Sequence, residues 1–166
     1  PQLDNARGVW NMKEVYDAMM GGYWPNASGG RAIYVGGADP SASNIIDYIT
    51  MASTGDAADF GDLQNNKNTF PGVCSNFTRG LMGDASSIDY ITYATTGNAA
   101  DFGDLTTSRS HGCGMNSSTR AVFAGGVDPG LSNVMDYVTM TSIGNATDFG
   151  NLTVARREPA NASSPT

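Results

Sequence analysis

The sequence predicts an all-β protein of propeller-type repeats, three four-stranded blades preceded by a short N-terminal helix. Three observations predict it. First, Ile46-Asp47-Tyr48-Ile49-Thr50, followed by Thr54-Gly55-Asp56-Ala57-Ala58-Asp59-Phe60-Gly61-Asp62-Leu63, returns as Ile88-Asp89-Tyr90-Ile91-Thr92 with Thr96-Gly97-Asn98-Ala99-Ala100-Asp101-Phe102-Gly103-Asp104-Leu105. It returns again as Met135-Asp136-Tyr137-Val138-Thr139 with Ile143-Gly144-Asn145-Ala146-Thr147-Asp148-Phe149-Gly150-Asn151-Leu152. Second, the arginines that open the repeats, Arg31, Arg79 and Arg120, lie 48 and 41 residues apart, and the central aspartates 42 and 47. That period suits a four-stranded blade and is too long for leucine-rich or ankyrin units. Third, 21 glycines and only 15% charged residues in 166 are ordinary for a turn-rich β protein.

Taken in order, residues 1–30 form an arm without the repeat. Asn11-Met12-Lys13-Glu14 has the pairing of a capping box, and Val15, Ala18 and Met19 follow at helical spacing, which predicts a helix over residues 12–20. Trp10, Tyr16, Tyr23 and Trp24 give the arm more aromatic surface than a solvated tail carries, so it is expected to pack on its own domain or on a neighbouring subunit. Three repeats follow, at 31–78, 79–119 and 120–166. Each opens on a short apolar run that reads as a buried strand ended by glycine, as in Arg31-Ala32-Ile33-Tyr34-Val35-Gly36-Gly37. A variable loop comes next, containing Asp39-Pro40 in the first repeat and Asp128-Pro129 in the third, and shortened by six residues in the second. The strand from Ile45 has apolar side chains on both faces and should lie inside its sheet. A Thr-Gly-Asn or Thr-Gly-Asp turn leads to a strand around Asp-Phe-Gly. The polar remainder, Asn65 to Thr78 and its counterparts, is expected as the outer or edge strand of its own blade.

Three blades are fewer than the four to eight of a closed propeller. Further repeats after Thr166, closure by association between chains, or an open stack of three sheets covered by the arm would each satisfy the count.

A net charge of −7, with nine Lys and Arg spread along the chain, argues against nucleic acid and anionic membranes as partners. No apolar run approaches the ~20 residues of a membrane span. Cys74 and Cys113 occupy the same part of successive repeats and are expected as buried free thiols.

The residues offer little catalytic chemistry. The three Asp-Phe-Gly triplets lack the catalytic loop and strand lysine of a kinase, and their phenylalanines read as core. Carboxylates three apart, Asp59 with Asp62 and Asp101 with Asp104, could ligate calcium, but the third copy has Asn151 and no loop supplies the remaining oxygens, so Asx turns account for them better. No metal or cofactor is expected. His111 is the single histidine and reads as an exposed one; Cys113 beside it gains no orienting third residue. If the first two strands of a repeat form a hairpin, its arginine should meet its own aspartate, Arg31 with Asp47 for instance, as a scaffold pair. Six Asn-x-Ser/Thr triplets, at Asn26, Asn76, Asn116, Asn145, Asn151 and Asn161, are either copied polar turns or glycan acceptors.

The pattern Arg-Gly/Ala-x-x-x-Gly-Gly, Ile-Asp-Tyr-Ile-Thr, Thr-Gly-Asn-Ala-x-Asp-Phe-Gly-Asp-Leu-Thr resembles the kelch-like repeats of virion structural proteins, fibre or tail proteins in particular, of tailed bacteriophages that infect aquatic bacteria. The lead-in Gly8-Val9-Trp10-Asn11-Met12-Lys13-Glu14-Val15-Tyr16 with Gly22-Tyr23-Trp24-Pro25 is similar to the segment preceding such repeats. The resemblance implies a non-enzymatic structural protein of a virion surface or extracellular fibre. Its expected partners are copies of itself and adjacent virion proteins, packed through the arm. The alternative is a receptor-binding module that recognises surface polysaccharide through Asp39, Pro40, Asp128 and Pro129. Propeller-type repeats carry many unrelated activities, so the site decides function.

Overall fold

A computed structural model describes residues 30–163, apart from positions 39 and 71. The expected helix over 12–20 and the aromatic residues Trp10, Tyr16, Tyr23 and Trp24 lie outside the described residues, as does Asn26. Among the described residues every regular element is a strand.

Among the described residues eleven strands form three antiparallel sheets. The first holds β1 (Arg31–Val35), β2 (Ser43–Thr50) and β3 (Ala58–Lys67). The second holds β4 (Gly72–Ser75), β5 (Arg79–Asp84), β6 (Ser87–Thr92) and β7 (Ala100–Asp104), and the third β8 (Cys113–Asn116), β9 (Arg120–Val127), β10 (Leu131–Thr139) and β11 (Thr147–Asn151). Each is a meander in which sequence neighbours pair, the arrangement that short connections favour. The Arg-led strand and the Asp-Tyr strand form a hairpin in every sheet, and the Asp-Tyr strand lies between two others, as its two apolar faces require.

The polar segments depart from expectation. Gly72–Ser75 and Cys113–Asn116 do not close their own sheets; they pair antiparallel with the arginine strand that follows, Cys74 opposite Leu81 and Cys113 opposite Ala124. They are edge strands in hydrogen bonding, and one face of each packs on the other, with Gly72 and Cys74 buried and Val73 and Ser75 exposed. A Cβ on Gly114 would lie 2.6 Å from Val73 O and 2.7 Å from Cys74 Sγ, and one on Gly72 2.5 Å from the carbonyl carbon of Cys113. The segment reads as polar because its buried contacts are made by backbone and by small residues, which hydropathy does not register.

A bulge recurs in every sheet. Ile46 pairs with Gly61 and Asp47 with Asp59, so Phe60 is the extra residue; Ile88 and Asp89 bracket Phe102 in the same way, and Met135 and Asp136 bracket Phe149. The Asp-Phe-Gly triplet is this bulge. Its glycines sit at φ 145, 143 and 127°, a backbone region L side chains rarely adopt. Asp101 Oδ1 accepts from Gly103 N at 3.1 Å and Asp148 Oδ1 from Gly150 N at 3.0 Å, so these carboxylates close Asx-type turns.

Two apolar cores fill the spaces between successive sheets. Ile46, Phe60 and Leu63 of the first meet Met82, Ile91 and Ala99 of the second. Ile88, Phe102 and Leu105 of the second meet Phe123, Val138 and Met140 of the third, with Cys74 and Leu81 beside them. Corresponding residues do the same work twice, which is the nearest-neighbour logic of a repeat protein.

Both cysteines are free and buried, as expected. Burial pushes the Cys74 thiol from its ordinary 9.0 up to about 12, and raises Cys113 and Tyr93 as well. A thiol that ionises near 9 when unfolded but near 12 when folded binds its proton more tightly in the native state, so its stabilising contribution is complete below pH 9 and is lost as pH rises toward 12. Thermal melts between pH 8 and 11 should show falling stability, and Cys74→Ala should flatten that slope.

Candidate functional site

Chemistry concentrates where one sheet meets the next. The turn before β7 lies against the bulge of β3. Gly97 N donates to Phe60 O at 2.7 Å, Ala99 N to Asp62 O at 2.8 Å, and Asn98 Oδ1 accepts from Asp62 N at 3.1 Å. The turn before β11 repeats this on β7: Gly144 N to Phe102 O at 2.8 Å, Ala146 N to Asp104 O at 2.7 Å, and Asp104 N to Asn145 Oδ1 at 3.1 Å. A Cβ at Gly61 or Gly103 would stand 2.5 Å from the backbone of Gly97 or Gly144, so only glycine admits the turn.

Each junction also holds a buried ion pair. Lys67 Nζ meets Asp89 Oδ2 at 3.1 Å, and Arg109 Nη1 meets Asp136 Oδ2 at 2.6 Å, all four side chains almost wholly removed from solvent. Thr106 Oγ1 donates to Asp136 Oδ1 at 2.5 Å, and Arg109 Nη2 to Phe123 O at 3.1 Å. The expected pairing of each arginine with its own aspartate is therefore overturned. Register explains the change: Arg31 pairs opposite Thr50 and Asp47 opposite Tyr34, so the two side chains leave opposite faces of the sheet. The aspartate takes its cation from the preceding repeat instead. Sequence reasoning missed Lys67 and Arg109, although a signal existed: a basic residue stands four positions after the repeat leucine in Leu63-Lys67, Leu105-Arg109 and Leu152-Arg156.

The repeat arginines stack on their own tyrosines, Arg31 at 4.7 Å from the Tyr48 centroid, Arg79 at 5.0 Å from Tyr90 and Arg120 at 4.8 Å from Tyr137. Each tyrosine meets the bulge phenylalanine edge-on at 5.8–5.9 Å. Arg31 then reaches across to donate to Tyr93 O at 2.7 Å, and Arg79 to Met140 O at 2.9 Å.

The asparagines of the triplets hold turns and join strands. Asn76 Oδ1 accepts from Thr78 N, Thr78 Oγ1 and Arg79 N at 2.8–3.0 Å, while its amide donates to Ser118 O at 3.3 Å. Asn116 grips Ser75 on both sides, donating to its carbonyl at 2.6 Å and accepting from its N–H at 3.2 Å. Asn161 donates to Gly114 O. Asn76 and Asn116 border a shallow cleft of about 390 Å³ with Phe77, Ser117 and Ser118. Asn145 lies in the inter-sheet turn and Asn151 is exposed at the end of β11. Pro40, Asp128 and Pro129 are exposed on their loops, whereas Asp39 lies outside the described residues. His111, expected as exposed, keeps 38% of its side chain accessible beside Ser110 Oγ at 2.9 Å. Among the described residues no three His, Cys, Asp or Glu side chains gather as a metal would require.

The third sheet carries the accepting half of this junction and, among the described residues, has nothing seated on it. A Cβ at Gly150 would meet only Met135 Cε, at 3.9 Å, where Gly61 and Gly103 are in backbone contact. Phe149 is 49% exposed, against 2% for Phe60 and 0% for Phe102. The expectation that all three phenylalanines are core thus fails for Phe149, because that core needs a further sheet. Arg156 holds the posture of its counterparts: its carbonyl accepts from Gly126 N at 2.9 Å as that of Lys67 does from Gly37 N, and its Nε donates to Val154 O as Arg109 Nη1 does to Thr107 O.

No family model matches the chain, and no curated protein does. Among solved structures it is similar to one described as a novel fungal alcohol oxidase with catalytic diversity among the AA5 family, in complex with copper. The identity is 10%, the TM-score 0.51, and the match covers 68% of this chain and 27% of that one. At that identity the likeness concerns fold alone, and the chain spans about a quarter of that structure's length.

Removing one partner from a buried pair strands the other charge, so Asp136→Ala should cost about 3–5 kcal/mol in denaturant unfolding. The double substitution Arg109→Met with Asp136→Leu should cost much less, because it removes both charges and keeps the volume filled. Gly103→Ala forces strained backbone and a clash with Gly144, and should lower stability by roughly 2–4 kcal/mol in the same assay.

Proposed function

We propose that this chain is a non-enzymatic structural module of a virion surface or extracellular fibre, built of propeller-type blades and working by assembly. The observation that carries the reading is the third sheet. It reproduces Phe149, Gly150, Leu152 and Arg156, each equivalent to a residue buried or covered at the two internal junctions, and leaves Phe149 and Arg156 exposed and Gly150 and Leu152 half-buried. The repeated polar residues that first suggest chemistry, Asp89, Asp136 and the Asp-Phe-Gly carboxylates, serve the scaffold. In this reading the aromatic arm, Trp10, Tyr16, Tyr23 and Trp24, adds contacts to adjacent virion proteins, an assignment that rests on its composition.

Analytical ultracentrifugation of the full chain over a range of concentrations tests the reading. The expected result is a defined species heavier than one chain. A monomer at every concentration that instead binds surface polysaccharide on a glycan array would favour recognition and count against assembly.

A further inference from the structure

The first sheet displays the other half of the same junction. Residues that face the preceding sheet elsewhere are Met82, Ile91 and Tyr93 in the second and Phe123, Val138 and Met140 in the third, all packed in the cores. Their equivalents in the first sheet are Tyr34, Ile49 and Met51, and Tyr34 is 57% and Met51 70% exposed. Asp47 stands where Asp89 and Asp136 stand, on the face shared with Tyr34, and makes no ion pair among the described residues. Gly55-Asp56-Ala57 is the turn equivalent to Gly97-Asn98-Ala99; it is exposed, and among the described residues no backbone atom of it bonds to a bulge strand.

The two open faces are complementary position by position. Among the described residues Arg156 meets no carboxylate and Asp47 no cation. Asn151 N–H is where Asp62 and Asp104 N–H are bonded by an asparagine oxygen, and Asp56 offers a carboxylate oxygen at that place in the turn. Arg120 is stacked on Tyr137 like the other two but meets no carbonyl across the junction among the described residues, and Met51 O is the equivalent of Tyr93 O and Met140 O. Exposed Phe149 faces the place that exposed Tyr34 and Met51 would fill.

We infer that a second copy of this chain seats its first sheet on the third sheet of its partner, so that two chains close head to tail into a six-bladed ring. A heterologous interface either closes or propagates as a filament. Two copies of the three described sheets supply six, within the four to eight of a closed ring. The inference deepens the assembly reading and rests on it, by naming the partner as the chain itself and the contact as a third instance of a junction already made twice within it.

Charge exchange tests it on the full chain. The wild type should sediment as two chains. Arg156→Asp places two carboxylates together at both junctions, and Asp47→Arg two cations, so each variant should lose more than about a hundredfold in self-association and sediment as a single chain with a cooperative thermal melt. Mixed in equal amounts, the two variants restore an opposite-charge pair at each junction and should recover the two-chain species. A two-chain wild type untouched by either substitution, or variants not rescued by mixing, would overturn this junction while leaving the assembly reading standing. A wild type that forms open-ended polymers overturns the ring, and one that stays monomeric overturns both.

Discussion

The contact on which the rest depends is backbone on backbone: the Gly-Asn turn of one sheet against the Phe-Gly bulge of the sheet before it. Peptide groups can approach this closely only where no Cβ intervenes, so the bulge glycine sets the separation of the sheets. That separation fixes the thickness of the core, which is why phenylalanine, leucine and isoleucine recur at fixed places around it. The bulge contributes twice, since the extra residue that strains the strand is also the aromatic ring delivered into the core.

The buried ion pairs add selectivity. Taking a lysine or arginine and a carboxylate out of water costs several kcal/mol per ion, and attraction between them largely offsets this only when the geometry is right. At the second junction Arg109 Nε finds no acceptor, so the offset there is incomplete. An apolar pair of similar volume could serve stability equally well. What the charges impose is order: a sheet carrying a buried aspartate can sit only on a sheet that presents a cation at the matching depth, and a slipped or inverted stacking would leave both charges unpaired.

Much of this was legible in the sequence. Strand alternation, the glycine turns and the repeat period identify the hairpins and the central Asp-Tyr strand, because local propensity and pattern decide those features. The membership of Gly72–Ser75 and Cys113–Asn116 was not legible, since a short polar strand says nothing about which neighbour it pairs with. The aspartate partner was misread for a related reason: a hairpin model keeps interactions within one repeat, whereas Lys67 and Arg109 cross between repeats over 22 and 27 residues of sequence. Phe149 shows the same blindness from the other side, because identical triplets have identical sequence signals and different surroundings.

The backbone contacts of the two internal junctions use equivalent atoms, so each sheet of this type carries the same docking contact whatever its neighbour. In genetic terms, duplicating one repeat of roughly forty to fifty residues inserts a complete sheet with both contacts already written, and deleting one leaves its neighbours able to meet. An array built this way can change its count by unequal crossing over, while a substitution at a bulge glycine or a buried aspartate damages one junction and leaves the others intact. Gaining or losing a sheet is therefore a smaller perturbation to such a chain than replacing a single bulge glycine or buried aspartate.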